Sequence, residues 1–249
     1  MDFLGLMRVK NEEEFIEEVL ESQSFCEHII VLNNYSTDRT KEICQTFANV
    51  EVIDTPFPDE YNEGQDQEYL CELARAYKPK WICRMQGDEV LERDTYEKLK
   101  PFIDDPKIEC IEAHSLNYYN DTKTLRMDGC VGQGFRQSFW RFPANTQLTY
   151  GFMHCSLPRQ LEGCSKTRIG LALWHYGFMN QSRRLSTAAW QKAADKNKMN
   201  DYLWSIQGDP GGPSVYENLT GEPLWLQSVD EFLVGKPYSR RAREYEERQ

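Results

Sequence analysis

The sequence predicts an α/β fold, a mostly parallel sheet flanked by helices that gives way to a less regular C-terminal part. Three observations predict it. Short β-branched runs alternate with helical patterns over the first hundred residues, the order that builds a parallel sheet with helices packed on it. At 249 residues and 40% hydrophobic, the chain can bury a sizeable core, which excludes disorder as its main state. Polar clusters follow three of the apolar runs, where such sheets bind ligands.

Residues 3–9 form a short apolar run with strand character, and residues 11–22 read as a helix with Phe15, Ile16, Val19 and Leu20 on one face. Glu12, Glu13 and Glu14 would sit in its first turn, where acids suit the helix dipole. Residues 28–32 are a second strand. Ser36 or Thr37 is placed to cap a helix running through Phe47. Residues 50–53 are a third strand, 54–66 a loop rich in Pro and acids, 67–77 a helix, and 80–85 a fourth strand. Beyond residue 100 the pattern loosens. Strands are expected at 108–117, 136–142 and 169–176, and a helix over 183–205. A chain break is expected at Asp209–Pro213, and a charged, solvated helix over 238–249.

Charge is unevenly spread. The net charge is −11, yet residues 1–100 carry 11 Lys and Arg against 23 Asp and Glu, while residues 101–249 carry 18 against 17. An acidic chain is a poor non-specific nucleic-acid binder. The second half still leaves room for an anionic partner near Arg136, Arg141, Arg159, Lys166 and Arg168. No apolar run approaches the roughly 20 residues that span a bilayer. The N-terminus does not read as a secretory signal, and the 8 cysteines are scattered without a CxxC pair, so reduced thiols in a cytoplasmic protein are expected.

Three segments carry the chemistry: Arg8 to Glu13 after the first strand, Asn33 to Asp38 after the second, and Gln86-Gly87-Asp88-Glu89-Val90-Leu91 after the fourth. Carboxylate oxygens at a strand end suit Mg²⁺ or Mn²⁺ when a substrate phosphate adds further oxygens, although Asp88-Glu89 alone could equally be an acidic turn capping a helix. In order and spacing the three resemble the motifs of glycosyltransferase family 2: an N-E-E, a D-N-x-S-T-D-x-T and a D-x-D-E-V-L metal motif. The resemblance covers residues 3–100 well and 101 to about 185 in patches. It implies a GT-A-like, Rossmann-like fold that moves a sugar from a nucleotide diphosphate sugar to an acceptor hydroxyl with inversion, assisted by Mn²⁺ or Mg²⁺. It further implies a nucleotide-sugar-binding half over 1–100, an acceptor-side half over 101–185 and a C-terminal helical extension over 186–249.

The resemblance places the nucleotide sugar on Arg8, Asn11, Glu12, Asn33, Gln86, Gly87 and Asp88, and the metal on Asp88 and His175. It puts Arg183 and Arg184 near the diphosphate. A lone His is otherwise more often a structural hydrogen-bonding group. Asn33 stands where the family usually has Asp, as do Gln86 at the head of the metal motif and Cys155 in place of a Glu after His154. Glu162, Asp128 and Asp121 are candidates for the base that takes the acceptor proton, with Glu162 favoured because it precedes the run ending at His175. The glycine-bearing stretch 120–135 reads as an acceptor-side loop. The acceptor is a glycan, a lipid-linked sugar, a protein or a modified DNA base. Gln86 and Cys155 also admit a catalytically silent nucleotide-sugar-binding module. A nucleotidyltransferase is disfavoured, because residues 8–14 hold no glycine for a phosphate loop.

Overall fold

The computed structural model describes residues 1–58, 62–127, 134–151, 157–194 and 226–239. Its centre is four parallel strands in the order β3 (Val50–Asp54), β2 (His28–Asn33), β1 (Phe3–Val9) and β4 (Trp81–Gln86). In β1, Phe3, Met7 and Val9 enter one hydrophobic cluster, while Leu4 and Leu6 enter a second on the opposite face. Burial on both faces is why the strand reads as a continuous apolar run rather than an alternating one.

Helix α1 spans Ile16–Ser22 and α2 spans Thr40–Cys44, both shorter than the pattern suggests. Asn11 adopts a left-handed φ of 55°, and Glu12 to Phe15 form a turn. The acids expected in the first helical turn therefore lie in the loop before it. Ser36 and Thr37 do not cap α2. Asn11 N–H donates to Ser36 Oγ at 3.0 Å, and Thr37 N–H donates to Asn11 Oδ1 at 2.8 Å, so these residues pin the first loop to the second. Helix α3 spans Glu63–Ala74 and takes in part of the expected loop, because the Asn62 side chain accepts from Gln65 N–H and starts it early.

Beyond β4 the sheet turns antiparallel. β5 (Glu89–Leu91) precedes α4 (Thr95–Leu99), and then come β6 (Cys110–Tyr119), β7 (Asp121–Arg126), β8 (Phe135–Arg141) and β9 (Lys166–Phe178). β8 joins β4 to β6, β9 runs parallel to β6, and β5 pairs with β9. Asp88 and Glu89 thus lead into a strand, which removes the helix-capping alternative. β7 occupies part of the stretch expected as a loop; residues 128–133 lie outside the described residues.

Helix α5 spans Gln181–Ala194, β10 spans Leu226–Ser228 and α6 spans Val229–Leu233. The C-terminal part is not simply a helical extension, since β10 pairs with β7. Residues 195–205 of the expected helix, the 209–213 break and residues 240–249 lie outside the described residues. Six cysteines among the described residues are free thiols.

Residues 237–239 are fastened to the body of the fold. Glu92, wholly buried, accepts from Lys98 Nζ (2.8 Å), Ala172 N–H (2.8 Å) and Ser239 N–H (2.6 Å). Trp174 Nε1–H donates to Ser239 O at 3.0 Å. Tyr238 pairs its hydroxyl with His114 Nδ1 at 3.1 Å, and the His114 ring stacks on Phe135 with centroids 4.9 Å apart.

Burial lowers the His114 pKa below 6.5, and the charges of Lys236 and Arg168 lower it further. The unfolded chain therefore protonates first, so this histidine's contribution to stability is held above pH 6.5 and lost as the pH falls through it. We expect the parent's melting temperature to exceed that of His114→Gln most at neutral pH, with the gap narrowing on acidification. Parallel calorimetric profiles between pH 5 and 8 would show that His114 carries no such linkage.

Candidate active site

The carboxyl ends of β1, β2 and β4 open on one edge of the sheet, and β5 and β9 bring a second set of side chains to it. Asp88 stands where the two halves meet. Its backbone carbonyl accepts from Tyr176 N–H at 2.9 Å, and its Oδ2 lies 3.3 Å from His175 Nε2 and 2.9 Å from Arg183 Nη2. Arg183 Nη2 also donates to Glu12 Oε2 at 2.5 Å. One guanidinium nitrogen thus bridges carboxylates from the β1 loop and the β4–β5 turn. Two glycines make room. A Cβ at Gly87 would stand 2.6 Å from Glu12 Cγ, and one at Gly177 would collide with the His175 ring. The glycine of Trp-His-Tyr-Gly therefore serves the histidine directly.

Burial raises the Glu12 pKa to about 8; Arg183 pulls it down, while the charges of Asp88 and Asp38 push it up. For Asp88, burial pushes the same way, but His175 and Arg183 outweigh it and hold the carboxyl well below the usual range. Arg183 is itself raised, because Glu12 and Asp88 overcome the effect of its burial. Its guanidinium also lies over the Phe15 ring, 4.8 Å from the centroid.

The donors fit a divalent ion. Asp88 offers a hard oxygen. His175 Nδ1–H donates to Asn117 Oδ1 at 2.6 Å, which fixes the ring with Nε2 facing Asp88, the ring-orienting arrangement typical of ligating histidines. Among the described residues no group of three or more His, Cys, Asp or Glu could hold an ion unaided. A bound ion would thus take remaining oxygens from substrate phosphate, as Mg²⁺ commonly does.

The other expected nucleotide-site residues gather on the same edge. Asn33 Nδ2–H donates to Asp54 Oδ1 at 2.8 Å. A carboxylate at position 33 would face Asp54, so Asn is the residue compatible with an acid at the end of β3. Gln86 N–H donates to Glu89 Oε2 at 2.9 Å, which anchors a buried carboxylate. Asn11 is spent on the loop contacts with Ser36 and Thr37.

Asp66 is the residue that the sequence pattern missed. It is 1% exposed and accepts from Arg8 Nε (2.7 Å), Asn34 Nδ2 (2.9 Å) and Thr55 Oγ1 (2.6 Å). One carboxylate on α3 therefore ties the ends of β1, β2 and β3 together. Its place inside a stretch that reads as loop hid it.

Glu162 does not join the site. It is exposed beside the start of β9, whereas His175 is near the other end; Lys166 and His175 pair with Cys110 and Asn117 of β6, which at about 3.3 Å per residue puts them about 23 Å apart. Asp121 begins β7 at the same end as His175, directly after Asn120, whose N–H donates to Phe178 O. Asp128 lies outside the described residues, as do His154 and Cys155. Of the five basic residues noted as an anionic acceptor surface, only Arg136 reaches the site, with Nε 3.9 Å from Glu89 Oε1. Arg141 donates to the carbonyls of Ile103, Asp105 and Ile108, Arg168 pairs with Glu112, and Arg159 and Lys166 are at the far end of β9.

Comparison with known proteins agrees with this geometry. The chain matches the description Glycosyl transferase family 2 over residues 6–159. No curated protein matches the sequence. Among solved structures, S. aureus TarS 1–349 in complex with UDP-GlcNAc aligns with a TM-score of 0.56 at 11% identity, over 83% of this chain and 70% of that one. Glucosyl-3-phosphoglycerate synthase from Mycobacterium tuberculosis, in complex with Mn²⁺, UDP and glucosyl-3-phosphoglycerate, aligns with a TM-score of 0.50 at 15% identity, over 84% and 81%. At such identities the likeness is one of fold, the GT-A fold.

Asp66→Ala removes a buried carboxylate that Arg8, Asn34 and Thr55 share and should cost about 3–5 kcal/mol. Asp66→Asn, which retains one acceptor, should cost less. Urea denaturation at neutral pH measures both, and equal stability of all three proteins would remove Asp66 as the organiser of this edge. The match over most of the chain, together with the site's position on the sheet, shows that the protein belongs to glycosyltransferase family 2.

Proposed function

We propose that the protein transfers a sugar from a nucleoside diphosphate sugar to an acceptor hydroxyl with inversion, with Asp88 and His175 holding a divalent ion. The observation that carries this reading is the convergence of Asp88, His175, Glu12 and Arg183 at the carboxyl ends of the parallel strands. Uridine is the nucleoside best supported, because both comparison complexes are described with a uridine nucleotide.

Residues 1–100 serve the donor. Asn33 and Asp54 present an amide and a carboxylate at the ends of β2 and β3, suited to nucleoside hydroxyl and imide groups, and Asp66 keeps Arg8 and Asn34 in place beside them. An ion at Asp88 would offset the charge of the departing diphosphate. Asn117 orients His175 for that task. Residues 101–185 serve the acceptor. Asp121, on the same edge as His175, is the candidate among the described residues to take the acceptor proton. A glycan or lipid-linked sugar fits best, since the basic residues that hinted at an anionic acceptor are mostly engaged elsewhere. Gln86, with no carboxylate to add to Asp88, favours one alternative: a module that binds nucleotide sugar without turnover.

UDP with Mn²⁺ should stabilise the protein by about 2.7 kcal/mol at a hundredfold excess over its Kd, more than other nucleoside diphosphates, as read by thermal shift. In a donor-consumption assay, Asp88→Ala should lose Mn²⁺-dependent turnover. Asp121→Asn should lower kcat by about 10²–10⁴ with the donor KM unchanged. Glu162→Gln should keep full activity. Tight UDP binding with no consumption of any donor would establish the silent module instead.

A further inference from the structure

We propose that Arg183 is the resident cation of the metal seat, occupying it in the donor-free protein and competing with the divalent ion for Asp88. This rests on the reading of Asp88 and His175 as metal-holding residues, and it adds a competitor that this reading does not contain.

Arg183 Nη2 is the point on which Glu12 Oε2 (2.5 Å) and Asp88 Oδ2 (2.9 Å) converge, and Asp88 Oδ2 is the same oxygen that faces His175 Nε2. Two cations on one oxygen repel, so a divalent ion and the Arg183 guanidinium would each weaken the other's hold on it. The seat as built suits a movable occupant. Arg183 Nε is buried with no hydrogen-bond partner among the described residues, so those residues do not lock all of its donors. The backbone beneath it is locked. Arg183 N–H donates to Asn180 Oδ1 at 2.8 Å, and the adjacent Arg184 is 3% exposed and donates to Asn120 Oδ1 (2.9 Å) and Phe178 O (2.7 Å). The head of Arg183 can therefore leave the carboxylates while α5 stays in place. A diphosphate arriving with the divalent ion offers the displaced guanidinium new acceptor oxygens, so donor and metal enter together and metal alone is resisted.

The test is Mn²⁺ binding without nucleotide, read from the free-ion paramagnetic resonance signal, on the parent, Arg183→Gln and Arg183→Gln/Asp88→Asn. Arg183→Gln should bind Mn²⁺ about tenfold or more tightly than the parent, because a like charge has left the seat. The double variant should lose that gain, and UDP should tighten Mn²⁺ binding to the parent by a larger factor than to Arg183→Gln. If the parent and Arg183→Gln bind Mn²⁺ equally, Arg183 does not hold the seat. If the gain survives Asp88→Asn, the ion sits elsewhere. Arg183→Met gives a second replacement of similar length should Arg183→Gln fold poorly. No donor turnover is needed for this measurement, so failure here is distinct from an absence of transferase activity.

Discussion

Two buried carboxylates, Glu12 and Asp88, share one guanidinium, and that constraint organises the molecule. Burial, helped by the charge of Asp88, raises the Glu12 carboxyl, and the Arg183 guanidinium, bonded to both carboxylates, is the cation that opposes this and joins them. To bring them there, the β1 loop must touch the β4–β5 turn, which only a glycine at position 87 permits. The cation must come from α5, which follows β9, so the antiparallel half has to fold back over the parallel half. β5 does this by pairing with β9 and placing Glu89 opposite His175. The register that delivers His175 to Asp88 also sets Asn117 beside it on β6. The sheet's change from parallel to antiparallel is thus what assembles residues 12, 88, 117, 175 and 183 at one point.

A second carboxylate does for the donor side what Arg183 does for the centre. Parallel strands end in separate loops, and nothing in a βα repeat holds those loops in mutual register. Asp66 supplies that tie through Arg8, Asn34 and Thr55, one from each neighbouring strand end. Asn11 adds a backbone-level tie between the first two loops. The edge that would receive a nucleotide is therefore fixed before any ligand arrives, which lowers the ordering entropy of binding. The centre, held by one arginine whose Nε has no partner among the described residues, is the less fixed part.

The strands were legible because burial on both faces leaves uninterrupted apolar runs, and residues 3–9, 28–32 and 80–85 contain them. Asp88 and His175 were legible because each closes such a run. What the sequence concealed depended on long-range pairing. Ser36 and Thr37 have cap chemistry, yet Asn11 claims both, and a local rule cannot see a partner 25 residues away. Asp66 sits in a stretch dense with Pro and acids, where Asn62 starts a helix that composition argues against. Glu162 seemed close to His175 in the chain, but most of the intervening run is strand β9, bulged at Gly170 yet extended, which carries the two apart.

The charge imbalance takes a different meaning in three dimensions. The first hundred residues carry the excess acid, and several of their buried members have a cation from the same half, Asp66 with Arg8, Glu63 with Arg84 and Glu92 with Lys98, while Glu18 accepts from the Tyr176 hydroxyl. For Glu12, Asp88 and Glu89 the matching cations are Arg183 and Arg136, from the second half. The near-neutral second half has in effect lent its arginines to the first, and keeps Arg141 on backbone carbonyls and Arg184 on Asn120. A count by halves suggested a basic surface for an anionic acceptor; the pairings leave Arg136 as the one member of that set beside the site. Charge read along the chain therefore locates the inter-half contact better than it locates a partner.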